Sequence, residues 1–303
     1  MIDNYRLPEN MDALITEKAD RISGIVKSYL PEINGFPRTV CDAMAYSVEA
    51  GGKRLRPMLM EETYRLFGGQ DEVVEPFMAA IEMIHTYSLI HDDLPALDND
   101  EFRRGRKTSH MVYGEAMAIL AGDALLNYAY ETACKAFAMD ADIRSVADAM
   151  CILASKPGIY GMIGGQVVDV EMTGRLLSRE QLEYVYENKT GALIEASMMI
   201  GAVLAGADRE QVTAVHDIAS SIGMAFQVQD DILDVCGDSK VLGKPVLSDE
   251  ENGKVTYVTI HGVEESKRYV RELSEKAVRG LEEIGGDYEF LKQLVIWLIN
   301  RRK

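Results

Sequence analysis

Three observations predict an all-α fold. Apolar residues recur at helical rather than alternating spacing through most of the 303-residue chain. Helix-start signatures are frequent, with Ser178-Arg-Glu-Gln181 and Asp208-Arg-Glu-Gln211 spaced as capping boxes. No repeat, low-complexity tract or linker-like stretch divides the sequence, so residues 1–303 read as a single domain of roughly ten helices.

The elements follow in order. Pro8 suits the first turn of an opening helix. Breaks at residues 31–37 and 68–69 flank Gly51-Gly-Lys-Arg-Leu-Arg-Pro57, whose proline suits another helix start. The apolar run through Tyr87, Leu89 and Ile90 reads as a helix that Pro95 ends just after Asp92-Asp93. Further breaks fall at residues 95–110, 156–165, 237–253 and 285–286. Lys189-Thr190 lies in an apolar helix, and FQVQDDILD (226–234) has helical periodicity. The exception is Lys254-Val-Thr-Tyr-Val-Thr-Ile260, which propensity alone would make a strand. A lone strand has no partner, so tertiary context is expected to make this segment helical. The final apolar run, Leu294-Val-Ile-Trp-Leu-Ile299, is expected to dock on the core rather than to form a dimer or membrane contact.

Composition narrows the function classes. A hydrophobic fraction of 47% supports a large core, and a net charge of −17 argues against nucleic-acid binding, which needs a basic footprint. Cys41, Cys134, Cys151 and Cys236 lack metal-ligand spacing and read as reduced core thiols. The first residues, MIDNYRLPENMD, lack the basic and apolar blocks of a signal peptide. The most apolar stretch, 198–207, is shorter than the roughly 20 residues a membrane span needs. A cytoplasmic protein without stable membrane insertion is expected.

Two aspartate clusters stand out: Asp92, Asp93 and Asp98 in SLIHDDLPALDND (88–100), and Asp230, Asp231 and Asp234 in FQVQDDILD. Asp230 and Asp234 share a helix face, with Gln227 one turn earlier, while Asp98 would wrap back from the loop after Pro95. Either cluster alone is compatible with a solvated helix face. The apolar flanks (Tyr87, Leu89, Ile90; Phe226, Val228, Ile232, Leu233) oppose that reading. Unpaired carboxylates withdrawn from water are costly and push one another's pKa upward unless cations neutralise them. All-oxygen sites suit Mg²⁺, which shares its shell with substrate phosphates. A Mg²⁺-bridged diphosphate site follows. Cations supply its other half: Lys53, Arg54 and Arg56 beside Gly51 and Gly52, then Arg103-Arg104, Lys189, Lys244 and Lys254. Singly each fits a surface ion pair; together they outline two anion sites around one metal site. His85 is a phosphate-contact candidate, whereas His91 reads as structural.

These residues carry a resemblance to the trans-prenyltransferases, or polyprenyl synthetases, and within them to bacterial-type farnesyl diphosphate synthases. It runs in order through GGKRLRP (51–57), SLIHDDLPALDNDEFRRG (88–105), GGQVVD (164–169), KTGAL (189–193), FQVQDDILD, GKP (243–245), KVTYV (254–258) and the ending LINRRK. The resemblance implies an isoprenoid-synthase-type helical bundle around a central cavity, usually a homodimer. It implies a Mg²⁺ cluster, with Mn²⁺ a substitute, among the six aspartates. Arg103, Lys189, Thr190, Gln227, Lys244 and Lys254 would hold the allylic diphosphate. Gly52, Lys53, Arg56, His85 and Arg104 would hold isopentenyl diphosphate. Leu247 departs from a usual glycine after GKP, and Asn99 from a frequent aspartate.

The implied reaction is head-to-tail condensation: metal-assisted ionisation of the allylic diphosphate, attack by the isopentenyl double bond, then proton loss. No general base is evident, which fits the family view that released diphosphate takes the proton. Lys189, Thr190 and Gln227 would stabilise the cation, giving Lys189 a catalytic as well as a binding role. Tyr87, beside Ser88, stands about 7.5 Å along the helix from Asp92 and would floor the cavity for the growing chain. In the family an aromatic there accompanies the fifteen-carbon farnesyl product. A twenty-carbon synthase, a non-catalytic diphosphate-binding subunit, a class I terpene cyclase and a purely structural acidic helical protein are the competing readings.

Overall fold

Apolar helix faces find one another as the periodicity predicts in the computed structural model, which describes residues 5–175, 177–236 and 255–300. The helices are α1 (Met11–Ser28), α2 (Arg38–Val48), α3 (Leu55–Leu66), α4 (Glu75–Asp92), α5 (Ser109–Tyr113), α6 (Glu115–Ala133), α7 (Ile143–Ser155) and α8 (Met162–Met172). They continue with α9 (Arg179–Val185), a π-helical turn (Tyr186–Gly191), α10 (Ala192–Leu204), α11 (Arg209–Cys236), α12 (Tyr257–His261), α13 (Val263–Ile284) and α14 (Glu289–Asn300).

Two helices are apolar on nearly every side and so lie centrally. Along α4, Phe77, Met78, Ile81, Met83 and Ile84 are fully buried; along α10, Leu193, Met198 and Ile200 are. Each such side chain contributes roughly 1.5–3 kcal/mol of transfer free energy. Around them, α4 packs on α6, α10 on α3 and α11, and α11 on α13. Helix α10 touches both α4 and α11, the two helices that carry the aspartates. The π turn preceding α10 packs against α8 and α11. At the periphery, α13 buries Val270, Ala277, Val278 and Leu281 and turns its charged face outward.

Both expected capping boxes form. Ser178 and Gln181 exchange bonds, as do Asp208 and Gln211. Pro57 sits in the first turn of α3, two residues after its start. Pro8 does not open a helix: its carbonyl accepts from Met11 N–H in a turn that precedes α1. From Tyr257 the β-branched segment is helical, with Thr256 as its N-cap, because Thr256 Oγ1 satisfies Thr259 N–H locally and no strand is at hand to pair. Leu294, Val295, Ile296 and Leu298 are buried, so α14 docks on the core as expected.

One further expectation needs correction. The cysteines are free, but Cys134, Cys151 and Cys236 are exposed and Cys41 half-buried, because each lies off the buried stripe of its helix. The fold also contains a minimal antiparallel ribbon, β1 (Phe102–Arg103) with β2 (Arg106–Lys107). Its turn residues Arg104 (φ 53°) and Gly105 (φ 76°) are both left-handed, the arrangement a tight two-residue hairpin demands. Among the described residues, no helix is long and apolar enough to cross a membrane.

Candidate active site

The first carboxylate group forms where α4 stops. Asp93 is the C-cap, and the chain doubles back so that Asp98 N–H donates to the Asp92 carbonyl at 2.9 Å. Asn99 adopts a left-handed conformation (φ 54°), which asparagine tolerates better than most residues; this accounts for its place in the turn. Asp93 is buried and accepts from Arg103 Nε at 2.7 Å and Nη2 at 2.6 Å. Asp92 accepts from Gln166 Nε2 at 2.9 Å. Burial, against the pull of Lys189 and with repulsion from Asp98, lifts the Asp92 carboxyl to about 6. Asp98 itself is exposed, contrary to the expectation of six withdrawn carboxylates, because only its backbone is tied back.

The second group lies inside α11. Asp231 and Asp234 are buried and Asp230 half-buried. Asp231 Oδ2 accepts from the Tyr186 hydroxyl at 2.5 Å and from Tyr257 N–H at 2.9 Å. One turn earlier, Gln227 Oε1 accepts from Thr190 Oγ1 at 2.8 Å.

The π turn packs against α8 and α11, and its Lys189 is linked electrostatically to Asp92. Its extra residue per turn is a geometry often found at functional positions. Helix α8 approaches closely because Gly165 has no side chain; a Cβ there would lie 2.3 Å from Lys189 N. The approach brings Asp169 Oδ2 within 2.6 Å of Lys189 Nζ. Burial disfavours the Lys189 charge, but Asp169, Asp92 and Asp98 outweigh it and raise its pKa, so it is a fixed cation. Asp169, Lys189, Thr190, Gln227 and Asp231 form the polar wall of an open cavity of about 630 Å³, with Met172, Leu182 and Val185 on its apolar wall.

A basin of cations lies around His85, two turns before Asp92 on nearly the same face of α4. Burial lowers Arg56 to about 10 despite the attraction of Glu82, and its buried Nε has no hydrogen-bond partner among the described residues. His85 is held well below the ordinary histidine range by burial and by Arg56, Arg104, Arg103 and Arg54, so it is a neutral imidazole. Arg104, at the ribbon tip, donates to the Gly51 carbonyl. Gly52 (φ 130°) admits its guanidinium, since a Cβ there would lie 2.7 Å from Arg104 Cζ. Lys53 Nζ is 5.1 Å from the centre of the Trp297 ring. Arg54 is the scaffold of this basin: buried, it bonds Glu82 (2.6 Å), Ser23 (3.0 Å) and the Val48 carbonyl (2.6 Å). Buried positive charge with a donor unpaired among the described residues suits an anion.

Tyr87 is buried in the main core, where burial raises its hydroxyl to about 12 and leaves it without a hydrogen bond among the described residues. It does not line the 630 Å³ cavity. Ser88 Oγ turns to the His85 carbonyl at 2.9 Å. His91 Nε2 lies 3.2 Å from the Ile119 carbonyl, a structural contact as expected. Lys244, Leu247 and Lys254 lie outside the described residues.

The structure thus places Asp92, Asp93 and Asp98 together, links Lys189 electrostatically to Asp92, and joins Thr190 to Gln227. Sequence reasoning overlooked Gln166, Asp169 and Tyr186. Gln166 and Asp169 were visible as polar residues three apart, hence on one helix face, within GGQVVD. Tyr186 had no signal beyond standing three residues before Lys189. Among the described residues no three His, Cys, Asp or Glu side chains stand together as a metal-binding group. The donors are all oxygen, which suits an ion that completes its shell with substrate phosphate.

Comparison with known proteins agrees with this geometry. The polyprenyl synthetase family profile matches residues 37–288. The chain is 41% identical to a farnesyl diphosphate synthase of Escherichia coli over 306 aligned positions, covering 98% of this chain and 99% of that protein. It is 42% identical to a chloroplastic geranylgeranyl pyrophosphate synthase of Capsicum annuum, covering 91% of this chain and 74% of that one. A Helicobacter pylori geranyltransferase, solved in complex with magnesium and isoprenyl diphosphate, superposes with a TM-score of 0.82 at 31% identity, covering 98% of each chain.

Proposed function

This chain belongs to the polyprenyl synthetase family and is a prenyltransferase; we propose that it condenses isopentenyl diphosphate with dimethylallyl and then geranyl diphosphate to give the fifteen-carbon farnesyl diphosphate. The observation that carries the reading is the pairing of two differently built anion sites along α4. At its end, oxygen donors and Lys189 suit a metal-bound diphosphate. Around His85, two turns earlier, Arg56, Arg104 and the neutral imidazole suit a diphosphate bound by cations alone. A reaction of two diphosphates, of which one must ionise and the other must not, needs that asymmetry.

In this reading Asp92, Asp93, Asp98, Asp230, Asp231 and Asp234 hold Mg²⁺, for which Mn²⁺ substitutes. When bound, the metal supplies Lewis-acid withdrawal of charge from the allylic diphosphate. Arg103, Lys189, Thr190 and Gln227, with Lys244 and Lys254, hold that diphosphate. Lys189 and the Thr190–Gln227 pair present a fixed charge and fixed dipoles to the leaving group and the developing cation. Lys53, Arg56, His85 and Arg104, with Gly52 open to close approach, keep the isopentenyl diphosphate in place without drawing on its C–O bond. The leaving diphosphate takes the proton lost in the elimination step. Exposed Ile119, Leu120, Ile159, Tyr160 and Ile163 support a homodimer, as each is a large apolar side chain left in water. A cytoplasmic location goes with the reading.

Tyr87, with Ser88 beside it, sets product length by blocking the path beneath the first aspartates. Products formed from labelled isopentenyl diphosphate and each allylic starter, with Mg²⁺ and an EDTA control, test both claims. A fifteen-carbon alcohol after phosphatase treatment is expected from the wild type, and chains of twenty carbons or more from Tyr87→Ala. Wild-type products of twenty carbons would favour the geranylgeranyl reading, and no condensation would overturn the proposal.

A further inference from the structure

Tyr186 is assigned no role in the family motifs, yet it makes a short bond to the second aspartate cluster. Its hydroxyl donates to Asp231 Oδ2 at 2.5 Å, within the range of a charge-assisted O–H···O⁻ bond. Tyr257 N–H reaches the same oxygen at 2.9 Å and the Tyr186 hydroxyl at 3.1 Å. The three groups come from separate elements: the π turn, α11, and the first residue of α12. Two donors on one carboxylate oxygen fix the rotation of the group. The ring packs in an apolar cluster with Leu182, Val228, Ile232 and Tyr257, where a carboxylate must be held or be costly. Tyr186 also stands three residues before Lys189 on the same short turn, so the turn that offers a cation to the diphosphate also grips an aspartate across from it.

We infer that Tyr186 is a positioning residue for the metal-bound diphosphate: its hydroxyl sets the Asp231 carboxylate and couples it to the turn bearing Lys189 and Thr190. The inference rests on the diphosphate reading above. Groups that orient a metal ligand typically govern 10- to 100-fold in metal affinity. Tyr186→Phe keeps the packed ring and removes only the donor.

The test is calorimetric titration with inorganic pyrophosphate, with and without Mg²⁺, in wild type, Tyr186→Phe, Asp231→Asn and the double variant. Melting temperatures are followed alongside. Mg²⁺-dependent affinity is expected to fall roughly 10-fold in Tyr186→Phe. Mg²⁺-free binding should be unchanged, and the double variant no worse than Asp231→Asn. A stability role alone would lower the melting temperature and leave the Mg²⁺ dependence intact. Wild-type binding that Tyr186→Phe leaves unaltered, or losses that add in the double variant, overturns the inference while sparing the diphosphate reading. A wild type without Mg²⁺-dependent binding overturns the reading itself.

Discussion

The two aspartate clusters look alike in sequence and are supported in opposite ways. Asp92 and Asp93 end a helix, where the dipole and the last carbonyls disfavour negative charge. Their support is largely cationic: Arg103 grips Asp93, and Lys189 offsets the burial of Asp92. Asp231 lies within the long helix α11, its Oδ2 held by a hydroxyl and a backbone N–H. Asp92 and Asp93 are thus met by charge, and one oxygen of Asp231 is oriented by dipoles. Cations that neutralise can also move onto a phosphate; fixed dipoles cannot. The Arg103 and Lys189 contacts are suited to exchange partners when substrate arrives, and the Tyr186 and Tyr257 contacts to keep Asp231 Oδ2 in place.

Removing a carboxylate from either side breaks the comparison most severely. Asp92→Asn and Asp231→Asn should each lower kcat/KM for condensation by more than roughly 100-fold, beyond the loss of a merely supporting group. A steady-state assay at saturating Mg²⁺ checks this, and activity within tenfold of wild type would remove that aspartate from the site. Arg103→Gln separates the clusters next. Losing a charged hydrogen-bonding partner should raise KM for the allylic diphosphate roughly 10- to 100-fold. Because burial opposes the Arg103 charge and Asp93 more than restores it, the variant should also weaken the salt sensitivity of allylic binding. Titration in increasing KCl reads both; unchanged KM would mean that Arg103 serves Asp93 alone.

The smallest effect lies beneath the second cluster. His216 Nε2 stands 3.5 Å from Glu195, which is buried on α10 and also paired with Lys156. The Glu195 bond leads the causes that raise the His216 pKa above 6.5. A group raised on folding contributes stability that is full below its unfolded value and is lost as pH rises through its folded one. Wild-type stability should therefore decline as pH increases from about 6.5 through that raised value, by less than about 1 kcal/mol because the ring is partly exposed. Denaturant melts of His216→Asn at closely spaced pH should lack this step; an identical pH profile would show that the pair contributes nothing.

The helix ends show why some of this was legible in advance. A capping box, a proline two residues past a C-cap, and carboxylates at i and i+4 are decided within one turn of chain, so the residues themselves state them. The ribbon at residues 102–107 was not legible: two-residue strands carry no alternation, and its left-handed turn is set at an arginine. Nor was the exposure of three cysteines, which depends on how each helix is rotated against its neighbours. Gln166 with Asp92 and Tyr186 with Asp231 join residues far apart in sequence, where spacing says nothing.

By itself the sequence determined an all-α chain, the identity of the charged groups, and the local faces on which they stand, because hydrophobic period and capping act over a few residues. Tertiary structure alone decided which of those charges oppose one another. The π turn before α10 packs on α11, Gly165 lets α8 close on it, and Arg54 anchors the loop that leaves Arg56 Nε without a partner among the described residues. Close packing of whole helices sets those distances, and a few ångströms there separate a solvated charge from one held ready for a diphosphate.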